Sequence, residues 1–400
     1  MNSPRNIAPR AWLIILLTGL AGLLFFLDRN VLAALKTTLS HELGLSNNDY
    51  SMLVTAFMAP YILTYFFVGR AVDRYGTRVG LAVFVGAMSM ATFLCGMAQD
   101  KWQLAGARVL LGTAEAGLMP ATFVAITKWF PSDRRAFAIS LRAPIQALGP
   151  ILAPVVAASV TLSLGWRFAF WIPASLGLVF VLVWWRVDTP RTAEEAAQPV
   201  TGFWEVFRDR RLWGIYAIRI VTDPFWFLLQ FWQASYLQEA LGLNLAAAGR
   251  LLWLPPFCES IAGIGLGLLS DRLVRRFGGV RARSAILIGL IVLTPSAFVL
   301  AFTKSVPMAV TMLIVAQFMS HSWMTGTTLL AAEVADKGRM ASVIGVMSAL
   351  GGLSSIVVNA VAGTLVDWFG YSALFLIGTG VFPVAALIVW RCYLSVKRPA

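Results

Sequence analysis

Gly69-Arg70-Ala71-Val72-Asp73-Arg74-Tyr75-Gly76-Thr77-Arg78 packs four charged residues into ten positions. It lies between two uncharged apolar runs, 51–69 and 79–98. About 20 apolar residues cross a bilayer core, so the stretch reads as a basic hinge between two membrane spans. The pattern returns as Gly267-Leu268-Leu269-Ser270-Asp271-Arg272-Leu273-Val274-Arg275-Arg276, and Asp73 and Asp271 lie 198 residues apart in a chain of 400. A second echo pairs Gly165-Trp166-Arg167-Phe168-Ala169-Phe170 with Gly370-Tyr371-Ser372-Ala373-Leu374-Phe375. Self-similarity at half the chain length points to two duplicated halves.

Composition says what kind of halves these are. The chain is 58% hydrophobic and 13% charged, against roughly 25% charged for a soluble domain. No water-soluble core can hold that much apolar surface, so lipid is the solvent. Twelve segments qualify as spans: 12–34, 51–69, 79–98, 102–126, 136–160, 167–187, 211–236, 247–269, 284–303, 306–330, 340–366 and 371–392. The expected fold is an all-α membrane protein of twelve transmembrane helices in two pseudo-symmetric six-helix bundles, 1–187 and 211–400. The charged stretch 188–210 joins them, with Arg191, Glu194, Glu195, Arg208 and Arg210. Duplicated six-helix halves place a substrate site at their interface near mid-membrane.

Loop charge gives the orientation. Counted from an inside N-terminus, inside segments hold 23 Lys and Arg, and outside segments hold five, Lys36, Lys101, Arg167, Arg250 and Lys304. Both termini are therefore expected in the cytoplasm. The run from Ala11 to Leu27 reads as a retained first helix, because no small-residue cleavage site precedes Asp28-Arg29. The net charge of +13 forms no continuous patch, which argues against a nucleic-acid partner. Cys95, Cys258 and Cys392 are far apart and lack metal-ligand or disulfide spacing.

The GxxxDRxGxR pattern at Gly69–Arg78 resembles the signature of the major facilitator superfamily. Gly69 would let helices approach closely, and Asp73 would take an arginine or a helix N-terminus as partner. Arg74, Gly76 and Arg78 complete this conformational-switch motif. Four further stretches resemble the anion:cation symporter family within it. They are Leu27–Asn30, Glu42–Phe57, Arg108–Gly117 and Lys128–Arg135. The Asp49-Tyr50-Ser51 run and Thr222–Trp226 look most like hexuronate and sugar-acid carriers. That family imports carboxylates with protons, so the resemblance implies a proton-coupled symporter at the bacterial inner membrane. Two features depart from it: Arg142 in span five, and Ala331-Ala332-Glu333 at the end of span ten.

Ionisable groups inside spans are costly and usually functional. Asp28 and Arg29 are adjacent, about 100° apart around a helix, so each must find a partner on another helix. Arg108 and Glu115 are seven apart, on one face and roughly 10 Å apart along the axis. Glu115 and Asp28 are the expected proton carriers. Arg29 and Arg108 are the expected anion-binding cations, since the guanidinium fork binds carboxylates bidentately and stays charged. The resemblance assigns the same roles to these four residues, and it puts Tyr61 and Gln146 where sugar-acid carriers place polar substrate contacts. Asn359 is a further hydroxyl contact. Arg219 and Asp223 are spaced to neutralise each other. Glu259 has no evident partner, and His321 is a candidate either for a neutral-pH titrating group or for a polar packing residue.

The expected function is a proton-coupled symporter importing a small organic anion, a hexuronate or other sugar acid, by alternating access. The alternatives are another carboxylate, aromatic acids included, or a proton-coupled drug or metabolite exporter. Two in-membrane arginines argue against the exporter. No catalytic cluster or phosphate loop appears, so no enzyme and no cofactor is expected. The expected partners are the anion, protons and the lipid bilayer, with the protein as a monomer.

Overall fold

In hydrocarbon a backbone amide has no partner but the chain itself, so long apolar runs close their hydrogen bonds as helices. The structure is a computed structural model that describes residues 9–130, 135–189, 206–335 and 340–394. Among the described residues every regular element is helical. Ten described stretches are long and apolar enough to cross a membrane. The two other predicted spans are also unbroken helix, within α3 (Asn47–Met97) and α13 (Val306–Val334).

Contacts divide the chain into two units: Met1–Thr38 with Ala56–Pro199, and Leu39–Thr55 with Val200–Ala400. In the first unit α1 (Pro9–Ala34) runs along α6 (Arg135–Leu164). Small residues allow the close approach: Gly19 and Gly22 face Ile145 and Gln146, and Gly149 faces Leu23 and Phe26. Pro144, Pro150 and Pro154 sit inside α6, whose helix continues through them.

Predicted span four is divided. α4 (Lys101–Glu115) ends on the buried carboxylate, the turn at Ala116-Gly117 follows, and α5 (Leu118–Trp129) resumes. Asp100 starts α4 by accepting from the amides of Trp102 and Gln103. α7 (Phe168–Val187) completes the unit.

In the second unit α8 (Trp213–Ser235) packs on α13, on α14 (Met340–Phe369) and on α15 (Ser372–Val389). Gly378 leaves room for the Phe225 ring, and Gly351 for the Asp223 carboxylate. The first turns of α3 belong here: Tyr50 donates to the Phe231 carbonyl at 2.7 Å, and Gly363 N–H to Ser51 Oγ at 2.7 Å. Span eight is interrupted between α9 (Leu245–Leu251) and α10 (Leu254–Phe277). Span nine is likewise made of α11 (Gly279–Gly289) and α12 (Pro295–Phe302).

The duplication is written in the backbone. The described glycines with positive φ fall into three pairs: Gly44 with Gly242, Gly76 with Gly278, and Gly165 with Gly370. The members lie 198, 202 and 205 residues apart, close to the 198 of the two Asp residues. Gly76 (φ 76°, ψ 169°) and Gly278 (φ 82°, ψ 156°) make the same reversal after equivalent helices, a conformation L side chains rarely adopt.

Candidate functional site

The charged set of the first unit gathers where α1, α3 and α4 meet. Gly112 of α4 makes this possible, because a methyl there would run into the Phe57 carbonyl of α3. That close approach seats Arg108, one turn earlier on α4, with its guanidinium 4.2 Å from the Phe57 ring centre. From α1, Arg29 approaches the same ring at 4.9 Å, and also Phe25 at 4.0 Å and Tyr61 at 4.3 Å. Phe57 and Tyr61, one turn apart, are stacked with 5.8 Å between centres. Desolvated cation–π contacts are worth about 2 kcal/mol each, so these rings stabilise two guanidiniums that lipid would reject.

Arg29 Nε donates to Glu115 Oε2 at 2.8 Å in an ion pair whose carboxylate is fully buried. Arg29 Nη2 and Glu115 Oε1 are buried and make no hydrogen bond among the described residues. Asp28, the neighbour of Arg29, faces elsewhere: its Oδ2 accepts from Thr92 of α3 at 2.9 Å, and its Oδ1 has no hydrogen bond. Asp28 remains within electrostatic reach of Glu115 and Arg108. The structure thus assembles five predicted site residues, Asp28, Arg29, Tyr61, Arg108 and Glu115, within one unit.

Gln146 lies on α6, its side chain against Gly22 and its Oε1 buried without a hydrogen bond. Asn359 belongs to the second unit, on α14; its Nδ2 donates to the Ser355 carbonyl, and its buried Oδ1 has no hydrogen bond. Arg142 donates to Thr122 Oγ1 at 3.2 Å and to Met119 Sδ at 3.8 Å. In the second unit Arg219 and Asp223 pair at 2.9 Å. Glu259 does have a partner, His321 Nδ1 at 2.9 Å, which spacing within either helix did not reveal.

The switch loop is tied down by a residue that the sequence reading passed over. Asp188, just past the end of α7, accepts from Thr77 Oγ1 at 2.6 Å and from Trp129 Nε1 at 2.8 Å. Lys128 stands 3.5 Å from the same carboxylate. Arg78 donates to the Trp185 carbonyl at 2.9 Å and lies over its ring. Arg74 lies over Tyr75. The packing of Gly69 and the side chain of Asp73 lie outside what the structure describes.

The sequence profile of the Major Facilitator Superfamily matches residues 18–359. The chain belongs to the Major Facilitator Superfamily. It is a multi-pass membrane transporter, not an enzyme, with the two pseudo-symmetric six-helix bundles of that fold. Curated superfamily members of similar sequence include a hexuronate transporter of Escherichia coli strain K12. It is 26% identical over 96% of this chain and 94% of its own length. A galacturonate transporter of Dickeya chrysanthemi is 30% identical over 61% of this chain and 76% of its own. Among solved superfamily structures, a bacterial homologue of the human lysosomal transporter Spinster aligns over 100% of both chains. Its TM-score is 0.80 at 17% identity, a likeness of fold.

Two features of this superfamily member escaped the sequence reading: the Phe25–Phe57–Tyr61 cage and the Asp188 knot. The cage left a partial signal, since Phe57 and Tyr61 are spaced i, i+4. Asp188 left none, as its partners come from two other helices, α3 and α5.

Proposed function

We propose that this protein is a proton-coupled symporter that imports a small organic anion, a hexuronate or related sugar acid, by alternating access. The relatives named for hexuronate and galacturonate transport support the anion class. The observation that carries the coupling is the buried Arg29–Glu115 pair, 2.8 Å apart, with one nitrogen and one oxygen left over.

A substrate carboxylate bonds to Arg29 Nη2 and competes with Glu115 for the guanidinium. Glu115, deprived of its cation in a medium that solvates charge poorly, takes a proton. One negative and one positive charge then cross together, and the site never holds an unbalanced ion. Asp28, which accepts a hydrogen bond from Thr92, is the second carboxylate able to hold a proton. Arg108 adds to the field that draws the anion in. Tyr61, Gln146 and Asn359 contact the sugar, and the free carboxamide oxygens of the last two accept from its hydroxyls. Gly69, Asp73, Arg74, Gly76 and Arg78 form the loop that yields as the bundles rock.

The loop charges put both termini in the cytoplasm, and the carrier is read as a monomer of the bacterial inner membrane. The test is uptake of labelled glucuronate into liposomes with and without an inward proton gradient. Gradient-stimulated uptake that other sugar acids block is the expected result. Uptake indifferent to the gradient ends the coupling claim, and no uptake ends the hexuronate claim.

A further inference from the structure

Arg142 on α6 is a buried ionisable side chain of the first unit that this mechanism leaves idle. It is 4% exposed. Its hydrogen bonds among the described residues, to Thr122 Oγ1 at 3.2 Å and to Met119 Sδ at 3.8 Å, both leave from Nη1. Its Nε is buried with no partner. The guanidinium lies 4.8 Å from the centre of the Phe123 ring. No carboxylate pairs with it among the described residues, in contrast to Arg29 and Arg219. Hydroxyl, thioether and ring hold the cation in place, and none of them neutralises it. A buried cation without a counter-ion is expensive, and in a transporter an anionic cargo is the counter-ion at hand.

Its position says which part of the cargo. Arg142 precedes Gln146 by four residues, so both lie on one face of α6, about 6 Å apart along the axis. Gln146 Oε1 is buried without a hydrogen bond, so two unsatisfied polar groups stand one above the other. Thr122, which holds Arg142, follows Glu115 by seven residues, so Arg142 is displaced from the Arg29–Glu115 pair by roughly 10 Å toward the Gly76 end. A cargo anchored by one carboxylate at Arg29 and lying along Gln146 points its far end at Arg142.

We propose that Arg142 binds a second anionic group at the far end of the substrate, which makes this carrier selective for dianionic acids over monoanionic ones. The inference rests on the sugar-acid reading above and sharpens its substrate class. A six-carbon diacid places a carboxylate at each end, each able to form a charge-assisted hydrogen bond of about 2.8 Å with an arginine.

Galacturonate and galactarate make the pair of probes: they share six carbons and the same hydroxyl configuration, and the carbon that is anomeric in the galacturonate ring is a second carboxylate in open-chain galactarate. Binding of each to the purified full-length protein is measured by calorimetry for wild type, Arg142→Gln and Arg142→Lys, with melting temperatures reporting folding. Wild type is expected to bind galactarate at least about tenfold more tightly, Arg142→Gln to bring the ratio near one, and Arg142→Lys to keep most of it. Galacturonate binding with no preference for galactarate, or a preference that survives in Arg142→Gln, overturns this inference and leaves the sugar-acid reading intact. If neither acid binds wild type, both fall together.

Discussion

Phe57 holds two guanidiniums near one ring, and that sets the chemistry at the scale of single residues. Arg29 and Arg108 share the field of two buried carboxylates, Glu115 and Asp28, so in the proposed mechanism an incoming anion rearranges pairs that already exist. Glu115 is the residue on which compensation turns, because it touches Arg29 directly. Glu115→Gln keeps the shape and removes the titratable oxygen. Gradient-driven uptake by this variant is expected to fall to background, while exchange of labelled for unlabelled substrate across the same liposomes persists. Full gradient stimulation in the variant would move the proton site elsewhere. That Asp28 and Arg29 must look to different helices was legible from their adjacency alone. That Arg29 finds Glu115, 86 positions away, was not: it depends on how α1 and α4 are rotated against each other.

At the scale of elements, the broken spans and the Asp188 knot carry the argument. α4 stops at Glu115 and α5 restarts at Leu118, so the carboxylate sits at the turn where the two helices meet. At the Gly76 end, Asp188 joins the loop after the first part of α3 to the end of α5 and the end of α7. Asp188→Ala leaves the Thr77 hydroxyl and the Trp129 indole without their acceptor and Lys128 without its anion. Stranded buried donors cost about 1–3 kcal/mol each. Thermal melting of the purified variant should therefore drop clearly below wild type, with Asp188→Asn in between. An unchanged melting temperature would show that the knot does not stabilise the bundle.

The whole molecule is organised by its duplication. Glycine reversals at 44 and 242, 76 and 278, and 165 and 370 recur at nearly the same interval, so each half meets the same chain geometry at the same point. Loop charge adds direction to this symmetry, with 23 basic residues on one side against five on the other. Cysteines introduced at Gln99 and Thr303 in a cysteine-free background should react with an impermeant maleimide added to intact cells. One at Arg276 should react only after the cells are opened. The reverse pattern would invert the proposed orientation.

Segment lengths, the basic hinge and its echo, and the list of charges inside the membrane were all legible in the chain. Each depends on local composition: a run of about 20 apolar residues has few choices but to span, and a glycine that must take positive φ marks its own turn. Partner choice was decided only by tertiary packing. Glu259 with His321, Arg29 with Glu115 and Phe57, and Asp188 with Thr77 and Trp129 all depend on helix rotation and vertical offset. Apolar sequence specifies these weakly, because lipid is as apolar as leucine and favours no face of a helix. Close contacts between small residues set them instead, as Gly112 does against Phe57 and Gly22 against Gln146.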